Sequence, residues 1–212
     1  MIRILVVDDH AIVREGLKQI LNDVEDMSVL AEAANGQEAL DEIRRATFDV
    51  ILMDISMPGR SGLEILKDIR GEHPKLPVLI LSMHPEEQYA VRALRAGAAG
   101  YMNKAGAPDE LIGAIRKVSA GRKYVSPSVA ERLAFELGTD LEKLPHEQLS
   151  DREYQVMLML ASGRTVSEIA DELCLSVKTI STYRARVMEK MNLKKNAELT
   201  LYAVEHHLLN DT

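Results

Sequence analysis

Four short apolar runs near the start of this chain each end in a residue that can handle charge. Asp8 and Asp9 follow 2–7, Asp54 follows 50–53, Ser82 closes 77–82, and Lys104 comes just after 100–103. A lone Asp at the end of a strand is usually a helix cap or a solvated residue, and a lone Ser or Lys says less. Their joint placement is more specific. Three carboxylates brought together repel one another and push at least one pKa upward. A divalent cation removes that conflict, and Mg2+ favours a few carboxylates while keeping several waters. With Mg2+ and the Lys104 ammonium neutralising phosphate, a carboxylate can attack phosphorus to form an acyl phosphate, and Ser82 can hydrogen-bond a phosphoryl oxygen.

The elements that must position these residues alternate in type. Strands are predicted at 2–7, 28–33, 50–53, 77–82 and 100–103. Between them lie amphipathic helices, carrying Ile12, Leu17, Ile20 and Leu21, then 36–45, then Leu63, Ile65, Leu66 and Ile69, then 86–96, and finally a helix from Pro108 to near Gly121. Continuously apolar strands with intervening helices imply a parallel sheet covered on both faces. The expected fold is α/β, a flavodoxin-like doubly wound five-stranded parallel sheet whose strand ends converge on one edge. That domain is placed at 1–121. A linker follows at 122–147, with a helix near 127–137, Gly138 as its stop and a polar stretch containing Pro145. Residues 148–212 read as an all-α four-helix domain. Ser150 with Glu153 and Thr165 with Glu168 are capping boxes, Ser176 caps a helix over 177–191, and a last helix runs over 196–206.

The formal charge of −7 taken alone argues against nucleic-acid binding. Its distribution argues otherwise, because residues 176–195 hold Lys178, Arg184, Arg186, Lys190, Lys194 and Lys195 against Glu189 alone, a local +5. Such a cluster binds phosphates whatever the global sign. The apolar runs fall short of a membrane span and the N-terminus lacks the form of a signal peptide, so a cytoplasmic protein with no membrane partner is expected. One cysteine, Cys174, excludes an intramolecular disulfide and is expected to be a small buried side chain. Met157 and Met159 read as core, and His10 as a residue at a helix start.

The 177–191 helix divides as a recognition helix should. Ile180, Val187, Met188 and Met191 can face a core, with Lys178, Ser181, Thr182 and Ala185 on the opposite side. Those four are candidates for base edges, thymine methyls or guanine. Thr179, Tyr183 and Arg186 are assigned to phosphate contacts, and Lys194 and Lys195 to the flanking backbone. A helix-turn-helix commonly binds double-stranded DNA as a homodimer on paired half-sites.

Residues 1–121 resemble the receiver domain of two-component response regulators over their whole length. That resemblance implies phosphorylation of Asp54 by a sensor histidine kinase. It also implies Mg2+ held by Asp8, Asp9, Asp54 and the backbone carbonyl of Ser56, with Ser82 and Lys104 on the phosphate and Tyr101 as the aromatic that turns inward on activation. The C-terminal segment, with Leu149-Ser150-Asp151-Arg152-Glu153, Ile169-Ala170, Leu175-Ser176-Val177-Lys178-Thr179-Ile180 and Met191-Asn192-Leu193, resembles the LuxR-type DNA-binding module. The combination is that of the NarL/FixJ class, for which the expected partners are promoter DNA, the kinase and, as a further candidate, RNA polymerase. Two positions depart from the pattern. Ala105 stands where many receivers have a proline after the lysine in a cis bond, which before Ala would cost roughly 2.5–4 kcal/mol. Arg184 replaces a common apolar residue, and its role stays open between packing, phosphate contact and the partner domain. An aspartyl-phosphate hydrolase of haloacid-dehalogenase type would want a second Asp two residues after the nucleophile, where this chain has Ser56, so an enzyme is not expected. Nor is a constitutive DNA binder with a vestigial acidic site, since Asp8, Asp9, Asp54, Ser82 and Lys104 are all present.

Overall fold

The apolar runs 2–7, 50–53, 77–82 and 100–103 are buried along most of their length, which is what strands covered on both faces require, whereas only the two ends of 27–33 are buried. In the computed structural model, which describes residues 1–138 and 144–209, the chain separates into two compact units, Met1–Glu131 and Arg132–Thr212. In the first unit β1 (Ile2–Val7), β2 (Met27–Ala33), β3 (Val50–Asp54), β4 (Val78–Ser82) and β5 (Gly100–Asn103) form one parallel sheet in the order β2-β1-β3-β4-β5. The connections are α1 (Ala11–Asn22), α2 (Gly36–Arg45), α3 (Gly62–Glu72) and α4 (Glu86–Arg95), and α5 (Pro108–Ser119) follows β5. This is the expected doubly wound fold.

Side chains alternate across a strand. Ile4, Val6, Leu52, Leu79 and Leu81 pack in one cluster with Leu21 of α1 and Leu111, Ala114, Ile115 and Val118 of α5. Leu5, Val7, Ile51, Met53 and Ile80, equally buried, are left for the opposite face. The strand order reverses beside β1, which pairs with β2 on one side and β3 on the other. The crevice beyond the carboxyl ends of strands at such a reversal is where ligands bind.

Local chemistry sets the helix starts near that edge. Asn35 caps α2 by accepting from the Glu38 N–H, and Ser61 and Glu64 form a capping box on α3. Gly62, the first residue of α3, lies so close to β3 that a Cβ there would sit 2.0 Å from the backbone oxygen of Asp54. Its own N–H donates to the Ile55 carbonyl at 2.9 Å. After α5 the chain turns at Gly121, whose φ is +77°, and returns to the sheet, with Tyr124 N–H donating to the Ala99 carbonyl at 2.9 Å.

The division between the units falls within α6 (Pro127–Gly138). Residues 139–143, part of the expected polar linker, lie outside the described residues. A 3-10 turn (Pro145–Gln148) then leads into α7 (Asp151–Ala161), α8 (Val166–Glu172), α9 (Val177–Lys190) and α10 (Asn196–Glu205). Helix α7 packs against α8, α9 and α10, and Val156, Met157, Ile169, Ala170, Ile180, Val187, Leu199 and Ala203 are buried. Met159 is buried as well. Both expected capping boxes are present, at Ser150–Glu153 and Thr165–Glu168. Glu153 also takes the Lys190 ammonium at 2.6 Å, tying the end of α9 to the start of α7.

Gly62→Ala is expected to cost about 1–3 kcal/mol through overpacking against the Asp54 backbone, read as a fall in the urea midpoint of the first unit. Glu153 is held below the ordinary glutamate range: burial alone would raise it, but Lys190 and the Ser150 N–H and hydroxyl outweigh burial. A depressed carboxyl stabilises above its unfolded pKa and loses that contribution as pH falls through the folded value. Glu153→Gln keeps a capping side chain and loses the ion pair. It should therefore cost about 1 kcal/mol at neutral pH and unfold with a flatter pH dependence between roughly pH 5 and 3, measured by urea titration with far-UV circular dichroism.

Candidate phosphoacceptor site and DNA-binding face

At the carboxyl edge of the sheet the parallel register brings the sequence-predicted residues together. Asp54 ends β3 opposite Leu81, and Ser82 ends β4 opposite Asn103. Asp8 follows β1 with its N–H on the Ala33 carbonyl at 3.1 Å, and Lys104 follows β5 with its N–H on the Ser82 carbonyl at 2.8 Å. The Lys104 ammonium lies 2.6 Å from Asp8 Oδ2 and 2.9 Å from Asp54 Oδ2. Asp8 and Asp54 are nearly inaccessible, at 2% and 3% exposure.

Burial pushes the Asp54 carboxyl above its ordinary range. Lys104 offsets part of that rise, and the nearby Asp8 charge adds to it. Burial would lower the Lys104 ammonium, but the two carboxylates outweigh it and hold its pKa raised. The two directions are compatible, since one cation is shared by two anions. Asp9 Oδ1 is buried and accepts no hydrogen bond. The cluster Asp8, Asp9, His10 and Asp54 has one donor atom from each residue within 4.8 Å of the others, an arrangement able to hold a metal ion. An orphaned buried oxygen beside two further carboxylates fits a hard divalent cation.

Ser56 stands in the loop after β3, and its backbone makes a hydrogen bond to the Asp54 carboxylate. Its side chain meets His84 Nε2 at 3.1 Å. His84 joins three parts of the site. Its N–H donates to Ser82 Oγ at 3.1 Å, its carbonyl accepts the Tyr101 hydroxyl at 2.7 Å, and its ring lies against Tyr89 with centroids 4.9 Å apart. Tyr101 is buried, with its ring inward. Sequence reading missed His84, whose signal was its place two residues after Ser82. His10 is the residue at the start of α1, as expected, but its imidazole makes no cap and reaches the acidic pair instead. The bond after Lys104 is trans, and Asn103 closes the turn by accepting the Ala105 N–H at 2.8 Å.

In the second unit, α8 and α9 are joined by a tight turn. Cys174 there is exposed, correcting the expected burial. Its φ of +52° turns the backbone left-handed at the end of α8, while the preceding Leu173 takes the inner position. Ser176 caps α9 by accepting the Thr179 N–H at 3.1 Å, and the two hydroxyls lie 2.7 Å apart. Ile180, Val187, Met188 and Met191 are buried. Lys178, Ser181, Thr182, Ala185, Arg186, Lys194 and Lys195 are exposed, and Thr179 and Tyr183 half-buried. Thr182 spends its hydroxyl on the Lys178 carbonyl at 2.9 Å, which leaves its methyl as the group to offer outward. Arg184 donates to Asn196 Oδ1 at 2.9 Å, joining α9 to the start of α10. Lys190 is taken by Glu153. Of the six cations counted in the sequence, these two brace the helix, and Lys178, Arg186, Lys194 and Lys195 stand exposed.

Residues 4–116 match the response regulator receiver domain family, and residues 147–203 match the bacterial regulatory proteins of the luxR family. The response regulator GacA of Pseudomonas viridiflava is 41% identical over 211 residues, covering 99% of each chain. The response regulator UvrY of Shigella flexneri is 39% identical over 211 residues, covering 99% of this chain and 97% of UvrY. Among solved structures, RcsB from Salmonella enterica serovar Typhimurium, bound to promoter rprA in the presence of the phosphomimetic BeF3−, is 26% identical with a TM-score of 0.65, covering 96% of this chain and 99% of RcsB. With both parts matched and relatives aligned end to end, the chain belongs to the two-component response regulators that join a receiver domain to a LuxR-type DNA-binding domain.

Proposed function

We propose that Asp54 accepts a phosphoryl group from a sensor histidine kinase and that this modification controls transcription through DNA binding by α9. The observation that carries the reading is the Lys104 ammonium shared between buried Asp54 and Asp8. In the transfer, an Asp54 carboxylate oxygen attacks phosphorus, the bond from phosphorus to the donor's imidazole nitrogen breaks, and an acyl phosphate forms on Asp54. Lys104, kept protonated by its two carboxylates, then faces the phosphoryl oxygens. Ser82 Oγ, which accepts the His84 N–H, has its own proton to donate to one of them. Asp8, Asp9, Asp54 and the Ser56 carbonyl would hold Mg2+, which when bound supplies the positive charge that three carboxylates and a phosphoryl group together require.

Because Ser82, His84 and Tyr101 are hydrogen-bonded in series, a pull on Ser82 is transmitted to the face of α4 and β5. The working division is a receiver over 1–121, a linker over 122–147 and a DNA-binding domain over 148–212. The contacts assigned to DNA are Lys178, Ser181, Thr182 and Ala185 toward bases, with Thr179, Tyr183, Arg186, Lys194 and Lys195 toward phosphates. A homodimer on paired half-sites is the DNA-bound form, RNA polymerase is a further partner, and a cytoplasmic location suits them all. The phosphoryl group serves as a signal and not as an intermediate of turnover, since Ser56 offers no carboxyl for acid or base work. Among the described residues, no helix is long and apolar enough to cross a membrane.

Incubated with Mg2+ and a small acyl phosphate, the chain should gain one phosphate by intact mass, and Asp54→Asn should gain none and show no phosphodonor-dependent change in DNA affinity. A phosphorylated Asp54→Asn chain would sink the assignment. Arg186→Ala should weaken binding about equally across DNA sequences and lower the slope of log affinity against log salt by about one. Thr182→Ala should alter sequence preference and leave that slope unchanged, both read by fluorescence anisotropy.

A further inference from the structure

The linker is expected from residue 122, yet its first part is fastened to the receiver. β5 ends the sheet on one side, and Tyr124 covers that edge by bridging to Gly100 in parallel register. Gly100 leaves the room for this, since a Cβ there would lie 2.7 Å from the Tyr124 backbone oxygen. Lys123 Nζ donates to the Ala98 carbonyl, and the Tyr124 hydroxyl donates to Glu110 of α5. Shielding a strand edge accounts for these contacts. It does not account for the next one. Ser126 donates its hydroxyl to the carboxylate of Glu86, the first residue of α4. The same Oγ accepts the Val129 N–H at 3.4 Å, at the start of α6, and Val129 is buried. The residue from which α6 starts is thus held by α4.

Glu86 stands two residues after His84, whose N–H and carbonyl connect Ser82 with Tyr101. Resting on the reading that phosphorylation of Asp54 engages Ser82, we infer that Ser126 and Glu86 form a clasp that phosphorylation opens, freeing the start of α6. A phosphoryl oxygen that takes the Ser82 hydroxyl pulls on His84. Between His84 and Glu86 stands only Pro85, whose ring fixes φ, so the pull reaches Glu86 with little slack. The hydrogen bond to Ser126 depends on direction and fails when its acceptor turns away. Tyr124 keeps its own hold on β5, so the opening stops there. Residues 125–131 then pass from the receiver to the tether that carries the DNA-binding domain.

Hydrogen exchange on the full chain, read by mass spectrometry with and without Mg2+ and a small acyl phosphate, tests the clasp. Intact mass on the same samples reports phosphate uptake. In the wild type, phosphorylation should raise exchange over 126–131 about tenfold and leave 122–124 protected. Glu86→Ala should show the raised exchange without phosphodonor, still gain one phosphate, and change no further when it does. Ser126→Asp keeps a helix-capping acceptor but sets a like charge against Glu86, and should behave as Glu86→Ala does. Ser126→Asn keeps both the cap and a donor, and should restore the wild-type response. Phosphate uptake by the wild type with unchanged exchange over 126–131 would overturn the clasp while leaving the phosphorylation reading intact. So would exchange in Glu86→Ala equal to that of the untreated wild type. Failure of the wild type to take up phosphate would overturn both.

Discussion

Two carboxylates shut away from water, Asp8 and Asp54, share one ammonium, and the receiver is organised around delivering it. Lys104 comes from beyond β5, which is separated from β3 by β4. Only a parallel sheet whose strands end level brings such distant residues to one point. The register does this without strain, since the Lys104 N–H continues the pairing of β5 with β4 through the Ser82 carbonyl. Removing the ammonium would leave buried like charges facing each other, a situation proteins resolve by taking up a proton or a metal ion. The site is thus poised electrostatically, with one buried cation balancing two buried anions.

Close to the chemistry, hydrogen bonds replace sequence adjacency. The loops after β3 and β4 meet through Ser56 and His84, and β5 joins them through the Tyr101 hydroxyl. On the other side, α3 begins against the backbone of Asp54 itself, where Gly62 leaves no room for a side chain. Asp54 is clamped from its backbone and addressed through its side chain. In the second unit the same economy appears in Glu153, whose carboxylate caps α7 and anchors α9 through Lys190.

Much of this was legible in the residues alone. Uninterrupted apolar runs ending in Asp, Ser or Lys gave both the sheet and the composition of its edge, because parallel pairing leaves little freedom about where strand ends go. What was not legible depended on side-chain direction and backbone handedness. Cys174 sits among apolar neighbours in sequence, but a left-handed turn carries it outward. His10 looks like no more than a helix start, and His84 like a loop residue, until their partners are known. The charge count of the C-terminal segment was right as arithmetic, yet two of its cations are spent inside the domain, which no composition reveals. Arg184 shows why: its partner Asn196 is twelve residues away and on another helix.

That bracing has a consequence for divergence among proteins of this kind. The pose of α9 is set from behind, by Lys190 on Glu153, Arg184 on Asn196 and the buried Ile180, Val187 and Met188. The residues turned outward contribute little to holding it. A lineage can therefore exchange Lys178, Ser181 or Ala185 while the domain keeps its shape. The face that varies and the face that folds lie on opposite sides of one helix, so the exposed surface is free to change faster than the architecture that presents it.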